Sequence, residues 1–228
     1  MENEKVLSYD PKTIELLNRC ILEDEFDDEL QNQRLFGGKI SGEEELKRLL
    51  SARSVAEIAQ VNNVALNVGS GKSALKEMLK DFRVISLEPN PNRRPEGEVI
   101  VGWAENIPLP DKSVGLIVAW SVLPFVRSLQ ETLVQFNRVL VKNGKLVCDI
   151  RSYDDLPIAQ TFHPVCFLRY AYVFGFLVEE WIEFNDGYGD RAAYRFRKIR
   201  DFDYRWLMWP QCKGKILNYL KERDRVML

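Results

Sequence analysis

The sequence has one histidine, His163, and four scattered cysteines, Cys20, Cys148, Cys166 and Cys212, with no C-x-x-C pair. Neither a metal site nor a disulfide framework is expected from so sparse a set, and free thiols suit a reducing cytosol. A charge of one sign is also lacking. The net charge of −2 gives no global attraction to nucleic acid or to an anionic membrane, so nucleic acid is not an expected partner. Met1 is followed by "ENEKVLSYD", without the basic-then-apolar pattern of a leader. The most apolar late stretch, "PVCFLRYAYVFGFLVEEW", is interrupted by Arg169 and ends in two glutamates. It is too short and too charged to span a bilayer. These absences lead to the expectation of a cytoplasmic protein with no membrane span. No internal repeat or low-complexity segment is present.

A complete phosphate-binding P-loop is missing too. "VALNVGSGKS" (64–73) ends in Gly-Lys-Ser, but the pattern G-x-x-x-x-G-K-[ST] needs a glycine at position 66, which is Leu66. The apolar fourth segment, "GLIVAW", ends without the aspartate that would hold Mg²⁺. Nucleotide hydrolysis is thereby excluded, and Lys72 reads as a solvated residue at a helix start.

What is present is an alternation of apolar runs and amphipathic segments in 228 residues, enough for one α/β domain with an extension. Helices are expected at 11–22 and 43–60, the second opened by a cap and acidic first turn in "SGEEE". "VALNV" is a short buried strand, and "SALKEMLKDF" (73–82) a helix with Leu75, Met78, Leu79 and Phe82 on one face. "RVISLE", "EVIVGW" and "SVGLIVAW" are three further strands, with "PNPNRRPEG" a loop. "SLQETLVQFNRVL" is a helix, "NGK" a turn and "KLVCDI" the fifth strand. A helix "HPVCFLRYAYVF", two strands joined by "NDGYGD", and a closing helix at 214–226 complete the chain. The expected fold is α/β: a Rossmann-like, doubly wound, seven-stranded, mostly parallel sheet with an antiparallel edge strand, in three α/β/α layers. Residues 1–60 are taken as a helical extension, placed to act as a lid, and 61–228 as the domain proper.

Charge is uneven along the chain. Residues 1–60 carry 14 acidic and 8 basic side chains, and residues 190–228 carry 11 basic and 5 acidic. The plain reading is two solvated faces. The sharper ones are a cationic rim for an anionic substrate or a contact between the two ends of the chain.

A strand, then Gly69-Ser70-Gly71, then a helix brings backbone amides and a helix N-terminus close to a ligand. Glu88 follows Gly69 by 19 residues, at the end of the second strand, where a carboxylate can accept both hydroxyls of a ribose. With "ALNVGSGKS", "VISLEPN", "GWAENIPLPDKSVGLIVAWSVLPFV" and "LVQFNRVLVKNGKLVCDI" in order, residues 64–150 resemble a class I S-adenosylmethionine-dependent methyltransferase. The resemblance is type-11-like, in the variant that opens L-N-x-G-S-G, a group associated with glycan and surface-polysaccharide pathways.

The resemblance implies S-adenosylmethionine as cofactor and methyl transfer to a small-molecule or glycan-type acceptor. It places Asn67 near the amino-acid portion of the cofactor and Gly69, Ser70 and Gly71 along its edge. Glu88 would hold the ribose. Pro89, Trp103, Ala104 and Glu105 would surround the adenine, with Trp120 and Ser121 near the methyl. Ser121, Tyr153 and His163 are candidates beside the acceptor, joined by Asp149, Arg151 and Asp154. Four positions depart from the family pattern: Asn67 for an acid, Ser73 for a third glycine, Trp103 for an adenine-binding acid, and Gly115 for an aspartate. A second reading therefore stays open, a catalytically inactive methyltransferase-like protein serving as a binding or scaffold partner. A protein partner or a homo-oligomer is compatible with either.

Overall fold

A computed structural model describes residues 42–70, 75, 78–92, 97–151, 163–185 and 190–203. The helices expected at 11–22 and 214–226 lie outside these residues, as do Gly71, Ser73, Tyr153 and Asp154.

Two helices come first, α1 (Glu43–Leu50) and α2 (Arg53–Val61). One continuous helix was expected here. The chain instead breaks at Ser51 and Ala52, where Ala52 turns extended (ψ 141°) and the Ser51 hydroxyl donates back to the Arg48 carbonyl. The N-cap of α1 is Gly42, with no side-chain cap, and the three acids of "EEE" fill the first turn as expected. Strands β1 (Val64–Val68), β2 (Arg83–Glu88), β3 (Glu98–Val101) and β4 (Val114–Ala119) follow. Between β1 and β2 the expected helix is described only at Leu75 and 78–82, which form turns. One helical-type bond, from Leu79 N–H to the Leu75 carbonyl, is present there. Helix α3 (Leu129–Val139) is capped by the Ser128 side chain, which accepts from Glu131 N–H.

Strand β5 (Leu140–Arg151) is longer than expected. The "NGK" segment is not a turn between helix and strand but an irregularity inside β5. Val114 pairs with Leu140 and Leu116 with Lys145, so extra residues are looped out on the β5 side. Asn143 takes the left-handed φ of 64° that such a bulge demands. Helix α4 (Pro164–Val173) and the hairpin β6 (Phe176–Asn185) and β7 (Asp190–Lys198) complete the described chain.

The sheet order is β3-β2-β1-β4-β5-β7-β6. Strands β1 to β5 are parallel, β7 is antiparallel to β5, and β6 pairs antiparallel with β7 at the edge. Alternate residues divide between two cores, as the two-residue pleat requires. Ala65, Leu116, Val118, Val147 and Ala193 pack with Leu46, Leu49 and Val55 of the first two helices. Leu66, Ile117, Ala119, Leu146 and Cys148 pack with Leu133, Phe136, Phe167 and Ala171 of α3 and α4. Residues 43–61 thus form part of one layer over the sheet. Gly115 has a packing reason: a Cβ there would sit 2.1 Å from the Asn62 carbonyl oxygen. An aspartate cannot occupy that position.

The basic run near β7 turns partly inward. Arg195 pairs with Glu180 (2.9 Å) and donates to the Leu49 carbonyl (3.0 Å), while Arg48 of α1 also pairs with Glu180. These contacts tie α1 to the β6–β7 hairpin. Lys198, buried, donates to the carbonyls of Asn137 and Leu140, and so caps the C-terminal end of α3. Asp201 binds Lys112 and Lys198, each at 2.8 Å.

Hydrogen bonds from Lys112 and then Lys198 hold the Asp201 carboxyl down at about 2. A carboxyl depressed in the folded state stabilises the fold above its unfolded value, about 3.9, and that contribution fades as pH falls through about 2. Urea unfolding between pH 5 and 2 is expected to show a shallower loss of stability on acidification in Asp201→Asn than in the unaltered protein. Parallel slopes would contradict it.

Candidate functional site

Strand β1 lies between β2 and β4, so the chain leaves it towards one side and crosses later to the other. A crevice opens over the C-terminal strand ends at such a reversal, and ligands of open α/β sheets bind there. Gly69 follows β1 directly with φ 61°, a left-handed conformation that glycine adopts without penalty. Its N–H donates to the Leu87 carbonyl (2.8 Å), which ties the turn to the end of β2. A Cβ on Gly69 would lie 2.5 Å from a methyl of Val122, so the β4 side closes directly on this turn. Next in the chain, Ser70 is buried, and its hydroxyl has no hydrogen-bond partner among the described residues.

Glu88 ends β2 and is 1% exposed. Its carboxylate accepts from the Asn90 N–H (3.1 Å), and the Asn90 side chain in turn accepts from Asn92 N–H (2.8 Å). This double turn fixes the carboxylate direction, which periodicity could not show. Asn67, buried on β1, shares the layer of Ala65 and Leu116 by strand alternation. Pro89 is half-buried beside Glu88.

The segment after β3 is more occupied than expected. Glu105 accepts from the backbone N–H groups of Arg127 (2.5 Å) and Ser128 (3.2 Å). It thus serves the start of α3, where a carboxylate also complements the helix dipole. Trp103 carries the Arg127 guanidinium 3.5 Å over its ring, a cation–π contact worth about 0.5–2 kcal/mol. Ala104 is buried between them in sequence.

Trp120, expected near the methyl, is buried just after β4. Its ring stacks on Phe184 of β6 at 6.3 Å, and a Cβ on Gly42 would meet both rings. It packs as a core residue under the N-terminus of α1. Ser121, by contrast, sits in a polar cluster. Asp149 accepts from the Ser121 N–H (2.5 Å) and pairs with Arg191, whose guanidinium also donates to the Ser121 hydroxyl (2.7 Å). The Asp149 and Arg191 side chains are wholly buried. Burying two charges is costly, and the hydrogen bonds to Ser121 offset part of that cost.

His163 is the exposed N-cap residue of α4 and makes no side-chain cap bond. Arg151 is buried at the end of β5. Cys148 is fully enclosed, and burial followed by the neighbouring Asp149 charge pushes its thiol well above the usual range. It is a packed thiol, unsuited to act as a nucleophile. Among the described residues no cluster of His, Cys, Asp or Glu could hold a metal ion, and no helix is long and apolar enough to cross a membrane. Sequence reasoning missed Arg191, Arg127, Val122 and Asn90. Only Asn90 left a signal, the Asn-Pro step after an acidic strand end.

Residues 66–148 match a family model described as a methyltransferase domain, which bears out the resemblance over that segment. The fold is that of solved S-adenosylmethionine-dependent methyltransferases. A comparison with curated proteins finds no match. Among solved structures, the Burkholderia thailandensis 1,6-didemethyltoxoflavin-N1-methyltransferase aligns with a TM-score of 0.59. It has 10% identity and covers 84% of this chain and 92% of its own. That structure holds 1,6-didemethyltoxoflavin and S-adenosylhomocysteine. A Haloferax volcanii protein in complex with the Trm112 methyltransferase activator aligns at 0.57 with 12% identity, over 81% of this chain and 98% of its own. The [4+2]-cyclase SpnF aligns at 0.53 with 12% identity, over 68% and 80%.

The Gly69 turn generates a stability prediction. Gly69→Ala forces a Cβ against Val122 and a side chain into left-handed backbone, the latter costing about 1–2 kcal/mol. The thermal midpoint is expected to fall by roughly 2–8 °C. Adding Val122→Ala is expected to recover the steric part of the loss and leave the backbone part, as read by thermal melts of the single and double variants.

Proposed function

We propose that the chain is an S-adenosylmethionine-dependent methyltransferase acting on a small-molecule or glycan-type acceptor. One observation carries the reading. The left-handed Gly69 turn is hydrogen-bonded to the strand that ends in buried Glu88, so a glycine edge and a carboxylate suited to a ribose meet at the sheet's reversal point. The residues present fit the cofactor at that end. The unpartnered Ser70 hydroxyl can bind a polar group above the turn, and Glu88, aimed by the Asn90 amide, can accept from ribose hydroxyls. Asn67 offers an amide to the amino-acid portion, without the charge attraction a carboxylate would give.

When bound, the cofactor supplies an electrophilic sulfonium methyl with a good leaving group. The protein's own work is then to orient the partners and exclude water, and a general base is needed only for a weak nucleophile. Ser121 lies at the end of β4 beside the crevice, its hydroxyl held by Arg191. His163 heads α4 in the open, and it is retained as an acceptor-side candidate together with Tyr153.

A second reading, an inactive methyltransferase-like binding partner, is favoured by a specific observation. Glu105 and Trp103, proposed adenine neighbours, are already engaged by Arg127 and Ser128. The two readings separate in a calorimetric titration with S-adenosylmethionine and S-adenosylhomocysteine. Micromolar binding that weakens about 10–100-fold in Glu88→Ala is expected, from the loss of charge-assisted bonds worth about 1.5–3 kcal/mol. Folded protein that gives no heat up to millimolar ligand would leave the second reading standing.

A further inference from the structure

The Asp149–Arg191–Ser121 cluster reaches the cofactor turn through a single residue. Ser121 is one of three non-glycine residues with left-handed backbone among the described residues, at φ 59°. Strained backbone persists where its surroundings over-determine it, and here three contacts do so. Asp149 accepts the Ser121 N–H on one oxygen and Arg191 on the other, and Arg191 donates to the Ser121 hydroxyl. Antiparallel pairing of β5 with β7 brings the two charged residues together across the sheet. The residue after Ser121 is Val122, whose methyl stands where Gly69 has no side chain.

We infer that Asp149 and Arg191 are positioning residues: their buried pair fixes the Ser121 turn and thereby seats Val122 against Gly69. Strands β5 and β7, on the acceptor side, are in this way mechanically joined to the turn on the cofactor side. The role in ligand binding rests on the function proposed above, in which Gly69 and Ser70 edge the cofactor. The seating of Val122 does not depend on it. Arg191 also lies 5.8 Å from the Trp120 ring and 5.5 Å from that of Phe184, so its position is further confined by packing.

The test compares three variants. Asp149→Asn keeps an acceptor for Ser121 N–H and removes the charge on Arg191's partner. Ser121→Ala removes only the hydroxyl contact. Phe176→Leu, at the opposite end of the sheet, lowers stability without touching the cluster. The readouts are amide hydrogen exchange at Gly69, whose N–H is bonded to Leu87, thermal midpoint, and S-adenosylhomocysteine affinity. Exchange at Gly69 is expected to quicken about tenfold in Asp149→Asn and several-fold in Ser121→Ala, and to stay near the unaltered rate in Phe176→Leu. Affinity is expected to weaken by about tenfold in Asp149→Asn, with the control unchanged. Gly69 exchange that follows the thermal midpoint equally in all three variants would overturn the inference. Unaltered protein that binds no S-adenosylhomocysteine would remove the proposed function, and the exchange data alone would then decide the positioning role.

Discussion

Strand β4 is buried along its whole length, Val114 to Ala119, with strands on either side and helices above and below. A strand so placed can be neither amphipathic nor edge-like, and its neighbours must supply both covers. Helices α1 and α2 are one of those covers, through Leu46, Leu49 and Val55. The tight approach of Asn62 to Gly115 shows how closely α2 is laid on the sheet. The position that departs from the methyltransferase pattern at Gly115 is therefore explained by packing at the N-terminal end of β4. The crevice lies at the other end of the strand.

With the sheet interior apolar, its charges collect where strands end or where the hairpin meets α1. Glu179, in a bulge of β6, is a case in which opposing effects meet. Burial raises its carboxyl, but the bond from Lys145, with Ser54 and Arg195, brings it below the usual value. Asp149 with Arg191, and Lys198 with the carbonyls at the end of α3, follow the same rule that a buried charge needs a partner. These groups do not drive folding. They hold particular strand ends and helix ends together.

The sheet topology is shared with proteins of different chemistry. The aligned structures include an N-methyltransferase and a [4+2]-cyclase. At 10–12% identity such likeness speaks for fold alone, so function has to be argued from the strand ends. There the two halves of the crevice differ. The β1–β2 side presents a glycine turn, an unpartnered hydroxyl and an aimed carboxylate. The β3 side is already filled by Arg127 on Trp103 and by Glu105 on the start of α3.

The sequence by itself determined what depends on neighbours a few residues away: the five parallel strands, the capped helix after Ser128, the glycine turn and the acidic end of β2. Apolar periodicity and turn chemistry act locally, so they are legible without coordinates. It misread the break at Ser51, where Ala52 turns extended, and the bulge at Asn143, which the register of β5 against β4 sets. It also gave no sign that Arg191 belongs with Asp149, 42 residues earlier, or that Trp103 lies under Arg127. Such pairs are decided by strand register and by which loop crosses which strand end. Those are properties of the assembled sheet, since a contact between distant residues leaves no spacing in the chain to read.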